Sequence, residues 1–212
     1  MRGDALQNTS TVPRWWLFLQ QWLRNPLRTA AIMPSGPDLA AAMLAELPDG
    51  TRRVIELGGG TGALTKALFA RGIAASDLLV LELNEALHAQ LQRRFPKARV
   101  LLGDARNLPA LASEFVAQAP ADAIVSGLGL LSMRPALQEE ILSAAFACLR
   151  ADGVFVQFTY GPSAPVHEDV VAALGLRVRR GGFVLRNLPP ATVYVYERGP
   201  AAWSESPDPA AA

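Results

Sequence analysis

The chain has 212 residues, half of them apolar, enough for one sizeable core and short of two full domains. Twenty basic against nineteen acidic side chains leave a net charge of +1, so no whole-molecule field favours nucleic acid or another polyanion. One cysteine, Cys148, and two histidines exclude a disulfide framework and a thiolate–imidazole zinc cluster, which points to a reducing compartment and no metal.

From Pro13 to Asn25 the apolar positions 15, 16, 18, 19, 22 and 23 fall on one broad helical face, and Pro26 stops the helix. Three of the four tryptophans lie here, as Trp15, Trp16 and Trp22, beside Phe18. The run is too short to span a bilayer and too bulky and polar for a secretory signal. Through residue 28, four arginines against one acid make this end locally basic, by about +3. A second helix is predicted from Pro37 to about Leu47, with Asp38 in its first turn.

Strands and helices then alternate. Strands are predicted over Arg53–Leu57, Leu78–Leu83, Val100–Leu102, Ala123–Ser126 and Val154–Phe158, with helices over Ala63–Ala70, Glu85–Phe95 and Pro135–Leu149. That order predicts an α/β fold, a doubly wound and mostly parallel sheet with helices on both faces. Beyond residue 175 the segments Leu176–Arg180, Phe183–Leu185 and Ala191–Glu197 are closely spaced and predict an antiparallel C-terminal edge. Residues 1–30 are read as an amphipathic capping or membrane-binding helix, 31–199 as one domain, and 200–212 as a disordered tail.

The chemistry concentrates in Glu56-Leu57-Gly58-Gly59-Gly60-Thr61-Gly62, between the first strand and its helix. Gly58, Gly60 and Gly62 permit a tight turn and a close backbone approach to a ligand. The spacing of Gly58, Gly60 and Ala63 also fits a dinucleotide loop. Glu56 argues against that, because a strand-end carboxylate repels pyrophosphate and attracts a cation such as an ammonium or sulfonium. Glu82 ends the second strand, where an acid accepts from a ribose diol. Asp104 ends the third, where a carboxylate accepts from an adenine amine while the backbone of Ala105 meets the ring.

These motifs resemble those of the class I S-adenosylmethionine-dependent methyltransferases, which have a Rossmann-like fold. More narrowly, residues from about 11 to 198 resemble the bacterial phospholipid N-methyltransferases. The segments that carry this likeness are Ala31–Gly36, Ser126–Ser132, Phe158–Pro162 and Arg186–Ala191. The resemblance implies successive methylation of phosphatidylethanolamine toward phosphatidylcholine, with S-adenosylmethionine as cofactor, S-adenosylhomocysteine as product and no metal. It also implies that Ser35, Leu83 and Ser126 join Glu56, Gly58, Gly60, Gly62, Glu82, Asp104 and Ala105 at the cofactor. Localisation is expected at the cytoplasmic face of the cell membrane, peripherally, on an anionic surface met by Trp15, Trp16, Phe18 and Trp22.

An attacking amine needs its lone pair. Tyr160 is the candidate to orient it and to hold methylated cations by its ring, and His167 the candidate proton relay. Arg186 and Asn187, then Arg180, are the candidate contacts to a headgroup phosphate. Each also has a plain structural reading: Tyr160 packed under a loop, His167 starting a helix, His88, Arg177 and Arg179 merely solvated. The rival substrate classes are an rRNA adenine and a small molecule. Against the former, Ser126-Gly127-Leu128-Gly129 lacks the aromatic that would stack on a flipped base, and no nucleic-acid partner is expected.

Overall fold

The computed structural model describes residues 36–185, 187 and 189–199. The expected N-terminal helix with Trp15, Trp16, Phe18 and Trp22, as well as Ser35, Arg186 and the segment from residue 200 onward, lies outside the described residues.

Helix α1 spans Pro37–Ala45, with Pro37 in the first turn and Asp38 beside the positive end of its dipole. The sheet then begins with β1 (Val54–Leu57), α2 (Ala63–Ala70), β2 (Leu78–Glu82), α3 (Glu85–Arg94) and β3 (Arg99–Leu102). Asn84 caps α3 by accepting from the Leu87 N–H at 3.0 Å, and Arg93 and Arg94 complement its carboxyl end. Next come α4 (Leu108–Leu111), α5 (Ser113–Gln118), β4 (Ala121–Ser126), α6 (Pro135–Cys148), β5 (Leu149–Thr159), α7 (Glu168–Ala173), β6 (Leu176–Val184) and β7 (Ala191–Arg198).

The seven strands form one sheet in the order β3-β2-β1-β4-β5-β7-β6. The first five are parallel, and β7 runs antiparallel between β5 and β6. The expected doubly wound sheet with an antiparallel edge is therefore present. One refinement concerns β6, where the two predicted short strands are one, continuing through Gly181 and Gly182 with a register shift between Arg180 and Phe183. Glu46 explains the continuity. Its carboxylate accepts from the Gly182 N–H at 2.9 Å and from Arg179 at 2.6 Å, which holds the bulge against the end of α1.

Strand alternation sorts the core into two layers. Val54, Leu78, Val80, Ala123, Val125, Val154 and Val156 pack under α1, α2 and α3. Ile55, Leu57, Leu79, Leu81, Ile124 and Phe155 pack under α4–α7. The strands buried on both faces read as continuous apolar runs for this reason. By the same period of two, Glu56 and Glu82 fall on the α1–α3 side.

Arg53 pins the entry of β1. It donates to Asp77 at 2.8 Å, to the Phe115 carbonyl at 2.6 Å and to the Ala119 carbonyl at 3.2 Å, and its guanidinium lies 4.1 Å from the Phe115 ring centroid. Asp122 accepts from the Arg52 and Arg53 N–H groups at 2.7 and 2.9 Å. Arg53→Met should lower the thermal midpoint by about 4–10 °C, since it strands Asp77 and two carbonyls at a loss of about 2–3 kcal/mol. Calorimetry of the two proteins measures it, and an unchanged midpoint removes Arg53 from the framework.

Candidate functional site

The carboxyl ends of β1 to β5 form one rim, and the residues singled out at the cofactor meet there. After Leu57 the chain turns through Gly58–Gly62 into α2. The Gly58 and Gly59 N–H groups donate to the Leu81 carbonyl, and Gly62 donates to Gly59 at 2.8 Å. Gly62 has φ +81°, and a Cβ there would sit 2.5 Å from Phe95, so it closes the loop on α3. Gly60 differs, because a Cβ on it would meet nothing closer than the Gly58 carbonyl at 3.9 Å. The loop is thus packed from below and open above Gly60.

Two carboxyls face this loop from the same side of the sheet. Glu56 is fully buried, and its Oε2 accepts from the Thr65 hydroxyl at 2.6 Å while Oε1 has no partner among the described residues. Burial pushes the Glu56 carboxyl up to about 8, opposed by the hydrogen bonds from Thr65 and reinforced by the charge of Glu82. Glu82, 7% exposed, accepts from the Gly60 N–H at 2.8 Å through Oε2 and from the Asn84 N–H at 2.9 Å through Oε1. It therefore shapes the glycine loop, and each oxygen keeps a second lone pair. No Lys, Arg or His pairs with either acid among the described residues. Two buried acids without a counter-charge, one with an orphaned oxygen, suit a cationic ligand and disfavour a pyrophosphate. The cationic groups of S-adenosylmethionine suit the orphaned oxygen of Glu56, and the spare lone pairs of Glu82 suit its ribose diol.

Asp104 sits on the next strand end as expected, but it is engaged. Oδ1 accepts from the Arg106 N–H at 2.9 Å and Oδ2 from the Arg106 guanidinium at 2.8 and 3.1 Å. These bonds hold its carboxyl below the usual carboxylate range, so it is an anion with few lone pairs to spare. Ala105 behind it is buried, whereas Leu83 at the end of β2 is 66% exposed.

Ser126 is buried at the end of β4, and its Oγ accepts from the Leu128 N–H at 3.3 Å. Gln157, its neighbour in register on β5, donates to the Leu128 carbonyl at 2.9 Å and the Phe158 carbonyl at 2.8 Å. Leu128 is thus gripped at both backbone groups, and its side chain supports Gly58, where a Cβ would lie 3.0 Å from Leu128 Cδ2. Sequence reasoning missed Gln157. Its signal was a single amide inside the apolar run Val154–Phe158.

Tyr160 lies just past β5, partly buried and edge-on to Phe158 at 5.3 Å between ring centroids, with Asn187 nearby. Burial raises its phenol above the ordinary value. One expectation is corrected here. Asn187 is not a free phosphate contact: it is buried, its Nδ2 donates to the Pro189 carbonyl at 2.9 Å, and its Oδ1 accepts from the Gly36 N–H at 3.4 Å. His167 has the helix-starting place that its plain reading gave it. It caps α7, its Nδ1 accepting from the Asp169 N–H at 3.3 Å, which leaves that lone pair occupied. Arg180 is exposed on β6 and reaches no other described residue, while His88, read as solvated, is half-buried with Nε2 3.3 Å from the Val100 carbonyl.

Comparison with known proteins agrees with this geometry. A family model described as "Methyltransferase domain" matches residues 54–153. An ornithine lipid N-methyltransferase from Singulisphaera acidiphila is 31% identical over 186 residues, covering 85% of this chain and 94% of the relative. A ribosomal RNA small subunit methyltransferase A from Synechococcus sp. is 35% identical over 97 residues, covering 43% of this chain and 31% of that protein. Among solved structures, the magnesium protoporphyrin IX methyltransferase of Synechocystis PCC 6803, with bound S-adenosylmethionine, shares the fold at a TM-score of 0.56 and 14% identity, covering 93% of this chain and 87% of that one.

The state of Glu56 makes cofactor binding depend on pH. In the free protein Glu56 is protonated below about 8, and a bound cation favours its anion. Binding of S-adenosylmethionine should therefore release a proton and tighten as pH rises from 6.5 to 8. Without cofactor the sign is opposite: the raised carboxyl gives stability that is complete below about 4.5 and lost as pH rises through 8. Glu56→Gln should flatten both profiles and weaken binding by about tenfold or more, roughly the 1.4 kcal/mol of one lost charge contact. Calorimetry in two buffers of different ionisation enthalpy measures it, and an unaltered profile excludes Glu56.

The acid-tipped β1, the glycine loop it feeds and the match along nearly the whole of a curated relative place this chain among the class I S-adenosylmethionine-dependent methyltransferases.

Proposed function

We propose that this methyltransferase acts on the amine of a membrane lipid, converting phosphatidylethanolamine and its mono- and dimethylated products toward phosphatidylcholine. The observation that carries the lipid class is the likeness to a lipid N-methyltransferase, which extends over 94% of that relative. That same relative favours a second acceptor, the amine of an ornithine lipid. The likeness to an rRNA methyltransferase is confined to 43% of the chain, and the Ser126–Gly129 turn offers no ring to stack on a base.

S-adenosylmethionine supplies, when bound, a methyl group on a good leaving group. The chain's own work is placement. In this reading Glu56 faces the cationic end, Glu82 accepts from the ribose diol, and Ser126 and Gln157 fix Leu128 against the glycine loop. Tyr160, whose phenol stays protonated, accepts an N–H of the incoming amine through its oxygen and offers its ring to the methylated cation. The amine must arrive neutral, and a desolvated site beside the phenol favours that form. In this reading Arg180 and Arg186 meet the headgroup phosphate, and Trp15, Trp16, Phe18 and Trp22 lie at the headgroup level of the cytoplasmic leaflet. No helix among the described residues is long and apolar enough to cross a membrane, which suits a peripheral attachment.

Incubation with methyl-labelled cofactor and vesicles separates the readings. Label should enter the lipid fraction only where phosphatidylethanolamine is included. Label entering ornithine lipid alone transfers the assignment to that acceptor, and label entering neither refutes a lipid substrate. Tyr160→Phe should slow transfer by about tenfold while leaving cofactor affinity within about twofold, the loss of one hydrogen bond. A full-speed variant removes Tyr160 from the site.

A further inference from the structure

The described surface exposes five large hydrophobic side chains: Leu83, Leu102, Val178, Phe183 and Leu185. Four of them lie on the carboxyl rim of the sheet. Leu83 and Leu102 end β2 and β3, on the flank beside Glu82 and Asp104. Phe183 and Leu185 lie at the opposite end, two strands and roughly 10 Å beyond β5. They lie away from the cofactor loop and form an apolar patch of their own.

Register shows how they are presented. Phe183 pairs with Thr192, which pairs with Thr159 at the end of β5, so Phe183 stands level with the rim. Val178, Arg180 and Phe183 lie opposite Tyr196, Tyr194 and Thr192, and therefore share one face of the edge strand. Phe183 is 56% exposed and Leu185 72%. The bulge held by Glu46 accounts for the turn of Phe183: Gly181 and Gly182 insert an extra residue, and the Gly182 N–H is committed to Glu46.

The charges select the occupant. Residues 176–185 include three arginines and no acid. Arg177 and Arg179 are paired with Glu197 and Glu46, but Arg180, on the apolar face, makes no ion pair among the described residues. Basic residues and a bulge on an edge strand oppose pairing with a second copy of that strand. An anionic lipid surface meets no such obstacle, since it takes apolar side chains below the headgroups and arginine at the phosphates.

We propose that Phe183 and Leu185, flanked by Arg180, form a docking surface that seats the carboxyl rim of the sheet on an anionic bilayer. This rests on the lipid-amine reading above and extends it: docking through β6 brings the bilayer to the end of β5 and Tyr160, so a headgroup enters the site across β7. In sequence this surface lies far from the tryptophan-bearing segment, so the chain would have a second stretch for attachment besides residues 15–22.

The test uses the full chain carrying Phe183→Cys, labelled with an environment-sensitive fluorophore. Cys148 is buried, so the label goes to position 183. Vesicles of phosphatidylethanolamine with phosphatidylglycerol should shift the emission to the blue and shield the dye from an aqueous quencher. The pair Phe183→Ser and Leu185→Ser should cut sedimentation with those vesicles about tenfold while leaving S-adenosylmethionine affinity within about twofold. A dye that stays in water while the protein sediments overturns the proposal. So does a dye already shielded before vesicles are added, which assigns the patch to another segment of this chain, or shielded in proportion to protein concentration, which assigns it to a second copy. Should the double variant lose cofactor binding, the labelled protein alone decides. Shielding by vesicles with no methyl transfer to any lipid upholds docking and refutes the substrate reading, whereas lipid methylation with an unshielded dye does the reverse.

Discussion

Two carboxyls buried on one side of the sheet, with no basic side chain among the described residues to answer them, set the terms for the rest of this molecule. Burial, with the charge of Glu82 beside it, raises the cost of ionising Glu56, and the fold supplies donors to both carboxyls locally. Thr65 donates to one, and the Gly60 and Asn84 N–H groups donate to the other. Those same bonds shape the glycine loop and start α3. The electrostatic strain and the loop geometry are therefore one arrangement, which a cationic cofactor completes.

The second layer of the site is built from neighbours in register. Ser126 and Gln157 stand side by side on β4 and β5 and hold the two backbone groups of Leu128, whose side chain supports Gly58. A buried amide in a central strand is costly unless its groups are satisfied; here Nε2 serves two carbonyls, while Oε1 has no partner among the described residues. The amide of Asn187 accepts from the Gly36 N–H and donates to the Pro189 carbonyl, so the segment after β6 is linked to the start of α1.

Much of this was legible in the sequence because it depends on short-range pattern. The apolar runs bounded by Gly, Pro and Asp mark β1 to β5, and the acids at positions 56, 82 and 104 fall at strand ends. What escaped depends on contacts distant in sequence. The Gly181-Gly182 pair reads as a turn, yet β6 passes through it because Glu46 accepts its N–H from 136 positions away. Helices α4 and α5 escaped because Pro109 reads as a breaker, although at the first turn it is harmless and Leu108, Ala112 and Phe115 keep helical spacing. The capping of α7 by His167 and the burial of Asn187 likewise appear only once the chain is folded.

The strand order also constrains how the molecule assembles. β7 is the last strand along the chain, yet it lies between β5 and β6, and Arg198 at its end donates to the carbonyls of Phe146, Leu149 and Arg150 where α6 passes into β5. Until those residues leave the ribosome, β6 has no partner strand and β5 shows the solvent a bare flank of N–H and C=O groups. The flank that carries Phe183 and Leu185 therefore gains its partner strand only after the cofactor half of the sheet has all of its strands.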